Sequence, residues 1–170
     1  MQTAVAPRPE LSVLAPLTLR RLLPQAVSEP VSLLAGTIER DRNFVTMLRA
    51  FRETGGLLRG DEVADLLVQK GTGDVSRLAR WVVTRQVLSF EWRGELWIPM
   101  FQFNRRDMGL KNETRHISGE LAPAFDNWAL ALWFATPNTW LGDRLPAVAI
   151  DDDFLAVLQA ARTDRYVAMG

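Results

Sequence analysis

Eight consecutive residues, Trp128-Ala-Leu-Ala-Leu-Trp-Phe-Ala135, carry no polar side chain apart from the tryptophan N–H groups. A helix over such a run is apolar on every side, so it has to be covered on every side. It is far short of the roughly 20 apolar residues that span a bilayer, so the cover has to come from the rest of the chain or from a partner. Asp126 is suited to open the helix, and Thr136-Pro137-Asn138 stops it, because proline cannot continue a helical ladder. The other elements must be arranged around this one. With 170 residues, 48% of them apolar, the chain can build one domain or two small ones.

Upstream, the pattern predicts a mainly α chain with one β-hairpin. Residues 1–36 hold five of the nine prolines, Pro7, Pro9, Pro16, Pro24 and Pro30, and read as an N-terminal arm with a helical turn or two over Leu17–Leu23. A first helix is expected from Ile38 to Glu53, with Phe44, Leu48 and Phe51 on one face and Thr54-Gly55-Gly56 as its stop. A second begins near Asp61, which can cap it, and buries Val63, Leu66 and Leu67, and Gly71-Thr72-Gly73 turns the chain. A third is capped by Asp74 and buries Val75, Leu78, Ala79 and Val82. Val87–Trp92 and Glu95–Phe101 then form the hairpin around Arg93-Gly94.

Residues 104–125 read as a polar linker that holds His116, the chain's one histidine. Residues 126–170 hold the apolar helix, a turn at Leu141-Gly142-Asp143, a short helix at Pro146 and a last helix opened by Asp151-Asp152-Asp153. Phe154, Leu155, Leu158 and Ala161 give that last helix its apolar face, and Arg162–Gly170 is expected to be a tail.

Helix, turn, helix and hairpin, in that order over residues 37–103, suit a DNA-binding head. Arg77 and Arg80 can fork onto a guanine or grip a phosphate, Ser76 and Thr84 can donate to phosphate oxygens, and Arg93 sits at the hairpin tip, where a wing reaches the backbone. From Gly71 to Arg115 eight Lys and Arg outnumber five acids, whereas from Leu121 to Gly170 three Arg face six acids. A basic middle suits nucleic acid and an acidic end suits a protein partner. Asp61-Glu-Val-Ala-Asp-Leu-Leu67, with the ending Gly94-Glu-Leu-Trp-Ile-Pro-Met-Phe-Gln-Phe103, resembles the small winged heads of the excisionase and MerR type.

The run Trp133-Phe-Ala-Thr-Pro-Asn-Thr-Trp-Leu-Gly-Asp-Arg-Leu-Pro146, followed by an acid-capped helix, resembles the toxin-binding domain of Xre/MbcA/ParS-type antitoxins over roughly residues 126–168. Asp143 stands where that family keeps a second glycine. The resemblance implies a cognate toxin as partner, of the RES type whose family attacks NAD, and a C-terminal tail that plugs its active site. It assigns partner contacts to Trp133, Pro137, Asn138, Trp140, Leu141 and Arg144, and plug residues to Arg162, Arg165 and Tyr166. Such antitoxins usually also repress their own promoter through the N-terminal head.

No catalytic motif is present: neither a phosphate-binding GxxxxGK[ST] loop nor GxGxxG occurs, and His116 has no partner motif. The absence of cysteine excludes disulfides, thiolate catalysis and Cys-bound zinc. The three acids at 151–153 are explained by a helix start, so no metal and no cofactor are expected. The N-terminus has no continuous apolar core of the signal-peptide kind, so a cytoplasmic, membrane-free protein is expected. The expected function is therefore binding, by a homodimer that holds a toxin and operator DNA. A stand-alone dimeric regulatory or structural protein, with a degenerate head and no toxin, stays open beside it.

Overall fold

The strand that follows Arg93-Gly94 is apolar on both alternations, Leu96 and Ile98 on one and Trp97 and Pro99 on the other, and this decides the architecture. The structure, a computed structural model, describes residues 28–170, with side-chain surroundings from residue 34 onward. Strands β2 (Phe90–Trp92) and β3 (Glu95–Pro99) pair antiparallel, with Phe90 opposite Trp97 and Trp92 opposite Glu95. Arg93 and Gly94 form the tip with φ of 51° and 79°, the two left-handed positions of the tight hairpin turn. A strand that the sequence does not announce, β1 (Leu57–Arg59), pairs with the far edge of β3 and gives the order β1-β3-β2. At three residues it is too short for alternation to be read. Gly55 leads into it with φ 113°, and a Cβ there would lie 2.9 Å from that of Met100, so the approach requires glycine.

Side chains leave a strand alternately to its two faces. Leu58, Leu96 and Ile98 go to one apolar cluster, with Val63, Leu67, Leu78 and Trp81. Leu57, Phe90 and Trp97 go to another, with Phe44, Met47, Phe51, Ile117, Phe134 and Val157. The small sheet is thus a wall with a core on each side. The first cluster belongs to helices α2 (Gly60–Gln69) and α3 (Val75–Val83). The second belongs to the second half of α1 (Ser28–Ala50) and to α4 (Asn112–Leu121), α5 (Asn127–Ala135), α6 (Pro146–Ala149) and α7 (Phe154–Met169). Among the described residues the chain is mainly helical with one three-stranded antiparallel sheet, and no helix is long and apolar enough to cross a membrane.

The chain divides into two compact units, Met1–Ile38 and Glu39–Gly170. Of the first, only the start of α1 is described. Pro7, Pro9, Pro16, Pro24 and the expected turns over Leu17–Leu23 lie outside the described residues. Helix α1 begins ten residues before the expected Ile38. It takes Pro30 into its first turn, where no intrahelical N–H is needed. Met47 rather than Leu48 joins Phe44 and Phe51 in the core, and Leu48 is partly exposed.

Three further differences have local causes. Helix α2 starts at Gly60, and its cap is Arg59 rather than Asp61, because the Glu62 carboxylate reaches back to accept from the Arg59 N–H at 2.7 Å. The expected linker contains α4: Thr114, Ile117 and Leu121 recur at helical spacing and are buried, while the polar residues between them conceal the period. His116 is exposed on this helix, with its ring 6.0 Å from that of Phe154. The expected tail is helical, since no glycine or proline interrupts α7 before Gly170.

Helix α5 is covered as its sequence demands. Asp126 caps it by accepting from the Ala129 N–H at 2.7 Å. Leu130, Ala131, Phe134 and Ala135 are buried, and every other residue of the helix except Asn127 is at least half covered. Phe90 meets Trp128 edge-on at 5.2 Å, and the Arg40 guanidinium lies 4.3 Å from the same ring.

Gln102, 2% exposed, locks the end of the sheet. Its Oε1 accepts from the Leu88 N–H and its Nε2 donates to the Leu88 and Pro99 carbonyls, all at 2.8 Å. Gln102→Leu fills similar volume but leaves these buried backbone groups unpaired, so about 3 kcal/mol of unfolding free energy should be lost, as measured by urea titration. Gln102→Glu, which keeps the acceptor, should lose less at acidic pH than at neutral pH.

Candidate functional site

The residues expected to touch DNA start at a firm helix cap. The Asp74 carboxylate accepts from the Ser76 and Arg77 N–H groups at 3.0 and 3.1 Å, which fixes where α3 begins. Leu78 and Trp81 turn inward, and Ser76, Arg80 and Thr84 are exposed. The Thr84 hydroxyl is already engaged, donating to the Arg80 carbonyl at 2.7 Å. Val75 and Ala79, expected in the core, are exposed as well. They lie beside Leu78 but on the outer flank of the helix, because Trp81 occupies the inner face.

The arginines divide into held and free. Arg77 donates to the Thr72 carbonyl, and its guanidinium lies 4.8 Å from the Trp81 ring centre. Arg93, at the hairpin tip, pairs with Asp41 on α1 at 2.6 Å and lies 4.7 Å from the Trp92 ring centre. Arg80 and Arg85 make no ion pair among the described residues.

Asp41 is a residue that the sequence pattern does not single out. It accepts from Arg93 and, at 3.0 Å, from the Trp92 indole N–H, and Trp92 in turn stacks on Phe44 at 3.7 Å. The Arg93 hydrogen bond holds its carboxyl below the usual aspartate range. It outweighs the opposing effect of partial desolvation and is helped by the Trp92 donor and the arginine charge.

In the C-terminal half, the expected partner residues converge on another residue the sequence does not single out. Asp164 of α7 accepts from the Trp133 indole N–H at 2.8 Å, the Asn138 amide at 2.7 Å and the Trp140 indole N–H at 3.2 Å. Asn138 also accepts from the Trp140 N–H at 2.9 Å and pairs through its backbone with Arg144. The Thr-Pro-Asn stop is therefore a folded loop tied to the last helix. Pro137 is exposed, Leu141 is half-buried, and Trp140 is 62% exposed. Gly142 and Asp143 both take left-handed φ, 64° and 61°, so the loop imposes at Asp143 the conformation that a glycine would adopt freely.

The expected plug cations are occupied. Arg165 pairs with Glu120 of α4 at 2.6 Å, and Arg162 approaches the same carboxylate at 3.7 Å. Arg144 pairs with Asp152 at 2.5 Å. Only Tyr166 projects freely, 80% exposed, with Val167 and Met169 beside it on the last turn of α7.

The three consecutive acids have three separate tasks: Asp151 pairs with Lys111, Asp152 with Arg144, and Asp153 caps α7 by accepting from the Ala156 N–H. Among the described residues no group of three His, Asp or Glu side chains gathers to hold a metal ion.

Two outcomes test this geometry. Asp164→Ala should release Trp133 and Trp140, red-shifting tryptophan emission and costing about 1–3 kcal/mol, whereas Asp164→Asn should retain part of the contact. Because the Asp41 pKa is lowered in the folded chain, its stabilising contribution is present above the unfolded value near ~4 and is lost as pH falls through the lower folded value. The acid limb of a stability–pH profile should therefore flatten in Asp41→Asn.

Compared with protein-family models, curated proteins and solved structures, the chain shows no match to any of them.

Proposed function

We propose that the chain is an antitoxin-like binding protein. Residues 37–103 form a winged-helix head for operator DNA, and residues 126–170 form a module that binds and neutralises a cognate toxin of the RES type. It works as a cytoplasmic homodimer without a cofactor.

One observation carries the DNA half. The order α1-β1-α2-α3-β2-β3, with sheet order β1-β3-β2, is the order of a winged helix-turn-helix, in which the second helix of the pair enters the major groove. The free Ser76 and Arg80 side chains on α3 support it. The toxin half is supported by the likeness of the Trp133–Pro146 run to the antitoxin family, by the exposed Trp140, and by the last turn of α7, whose Tyr166, Val167 and Met169 are exposed apolar groups ready for a partner. Since Arg162 and Arg165 are held by Glu120, Tyr166 is the plug residue.

A second reading, a stand-alone regulator with a degenerate head, is favoured by the internal pairing of Arg77 and Arg93, two of the cations a head would direct at phosphates.

The test is co-expression with a RES-type toxin encoded beside this chain, following growth and cellular NAD. The full chain should restore both, and a chain lacking Tyr166–Gly170 should restore neither while keeping the Asp164 contacts and the folded-state circular dichroism. Rescue by the shortened chain removes the plug, and failure of the full chain removes the toxin. Duplex DNA from the chain's own upstream region should be retained with an affinity that falls steeply with salt. A chain that ignores it at low salt is the stand-alone regulator.

A further inference from the structure

Two parallel ridges run along the outer side of α3. Residues four apart stack on a helix, so Ser76, Arg80 and Thr84 form a polar ridge and Val75, Ala79 and Val83 form an apolar one beside it. All six are exposed, Val75 at 65% and Val83 at 82%. Neither burial nor local preference accounts for the valines, since a β-branched residue lowers helix propensity. The charges around the ridges are asymmetric. Asp61 and Glu95 line the groove beside the apolar ridge. On the other side, beside the polar ridge, Arg77 and Arg80 line a groove, with Asp74 engaged in the helix cap. Phosphates are repelled from the first side and attracted to the second.

We infer that the apolar ridge Val75-Ala79-Val83 reads the C5 methyl groups of thymines in the major groove, next to a guanine that Arg80 takes with its guanidinium fork. This rests on the reading of α3 as the groove-entering helix, and it names what that helix recognises. The chemistry is specific. Thymine presents a methyl group in the major groove, guanine presents O6 and N7 acceptors, and apolar side chains and arginine are the respective complements. Arg77, folded back on Thr72 and Trp81, takes no part in base reading. The polar ridge faces the backbone on the Arg77 side and fixes the helix orientation, so the apolar ridge lies over base edges rather than over phosphate.

The experiment uses the full chain. Duplexes retained from a random pool are sequenced, and the best is compared with a copy in which deoxyuridine, which lacks only the methyl group, replaces thymine. Wild type should bind the uracil copy about three- to fourfold more weakly for each methyl contacted, the effect of burying one such group. Val75→Ser with Val83→Ser should bind both copies alike. Arg80→Ala should lose discrimination at the guanine by roughly tenfold and still sense the methyl. Val68→Ser, at a valine of α2 that is 60% exposed, should behave as wild type. If wild type binds a selected duplex and does not distinguish thymine from uracil, the methyl reading is overturned and the DNA-binding head stands. If no duplex is retained at any salt concentration, both are overturned. A change of sedimentation mass in the double variant assigns the ridge to a second copy of the chain and overturns it too.

Discussion

Helix α5 has no side that water would accept, and the other elements are arranged to meet that requirement. Phe134 and Ala131 are sealed inside, Trp128 is closed off by Phe90 and Arg40, and Trp133 is anchored through its N–H to Asp164. Each cover comes from a different part of the chain: the hairpin, α1 and α7. A helix with one polar stripe would need only one such neighbour. The demand for cover on all sides draws the sheet and the last helix onto a common core.

Much of this was legible from local signals. Asp74, Asp126 and Asp153 each mark a helix start within a residue or two, since a carboxylate accepting backbone N–H groups is an interaction of neighbours. Arg93-Gly94 marks the hairpin tip for a similar reason. What escaped detection was either too short or too mixed. Strand β1 is three residues, and α4 hides three buried positions among Asn, Glu, Arg, His and Ser. The candidate sites were half legible. The Trp133, Asn138 and Trp140 side chains were identified, but not the carboxylate that gathers them, because Asp164 lies 24 to 31 positions away. No spacing rule connects residues so far apart, and the same holds for Asp41 and Arg93, 52 positions apart.

Carboxylates organise this chain more than cations do. Asp41, Glu120 and Asp164 each collect two or three donors, and the donors include most of the arginines and tryptophans that a surface would use for recognition. Partly exposed ion pairs contribute little net stability. Their effect is selective: they decide which side chains are held in one geometry and which stay free. By that sorting Arg93, Arg162, Arg165, Trp133 and the indole N–H of Trp140 belong to the scaffold, as does Arg77 through the Thr72 carbonyl, and Arg80, Arg85 and Tyr166 stay available at the surface.

A sheet one layer thick leaves neither core a wall of its own. Neighbouring residues of β3 serve opposite sides, Ile98 with α2 and α3, Trp97 with the α1 and α5 side. Peeling away either set of helices strips one face of strands the other set still needs, so the two sides melt as one cooperative body. A molecule that binds only the folded form then stabilises the whole of that body, whichever surface it occupies. Occupancy at α3 guards the last helix against unfolding, and occupancy at the last helix guards α3, although the two surfaces share no residue.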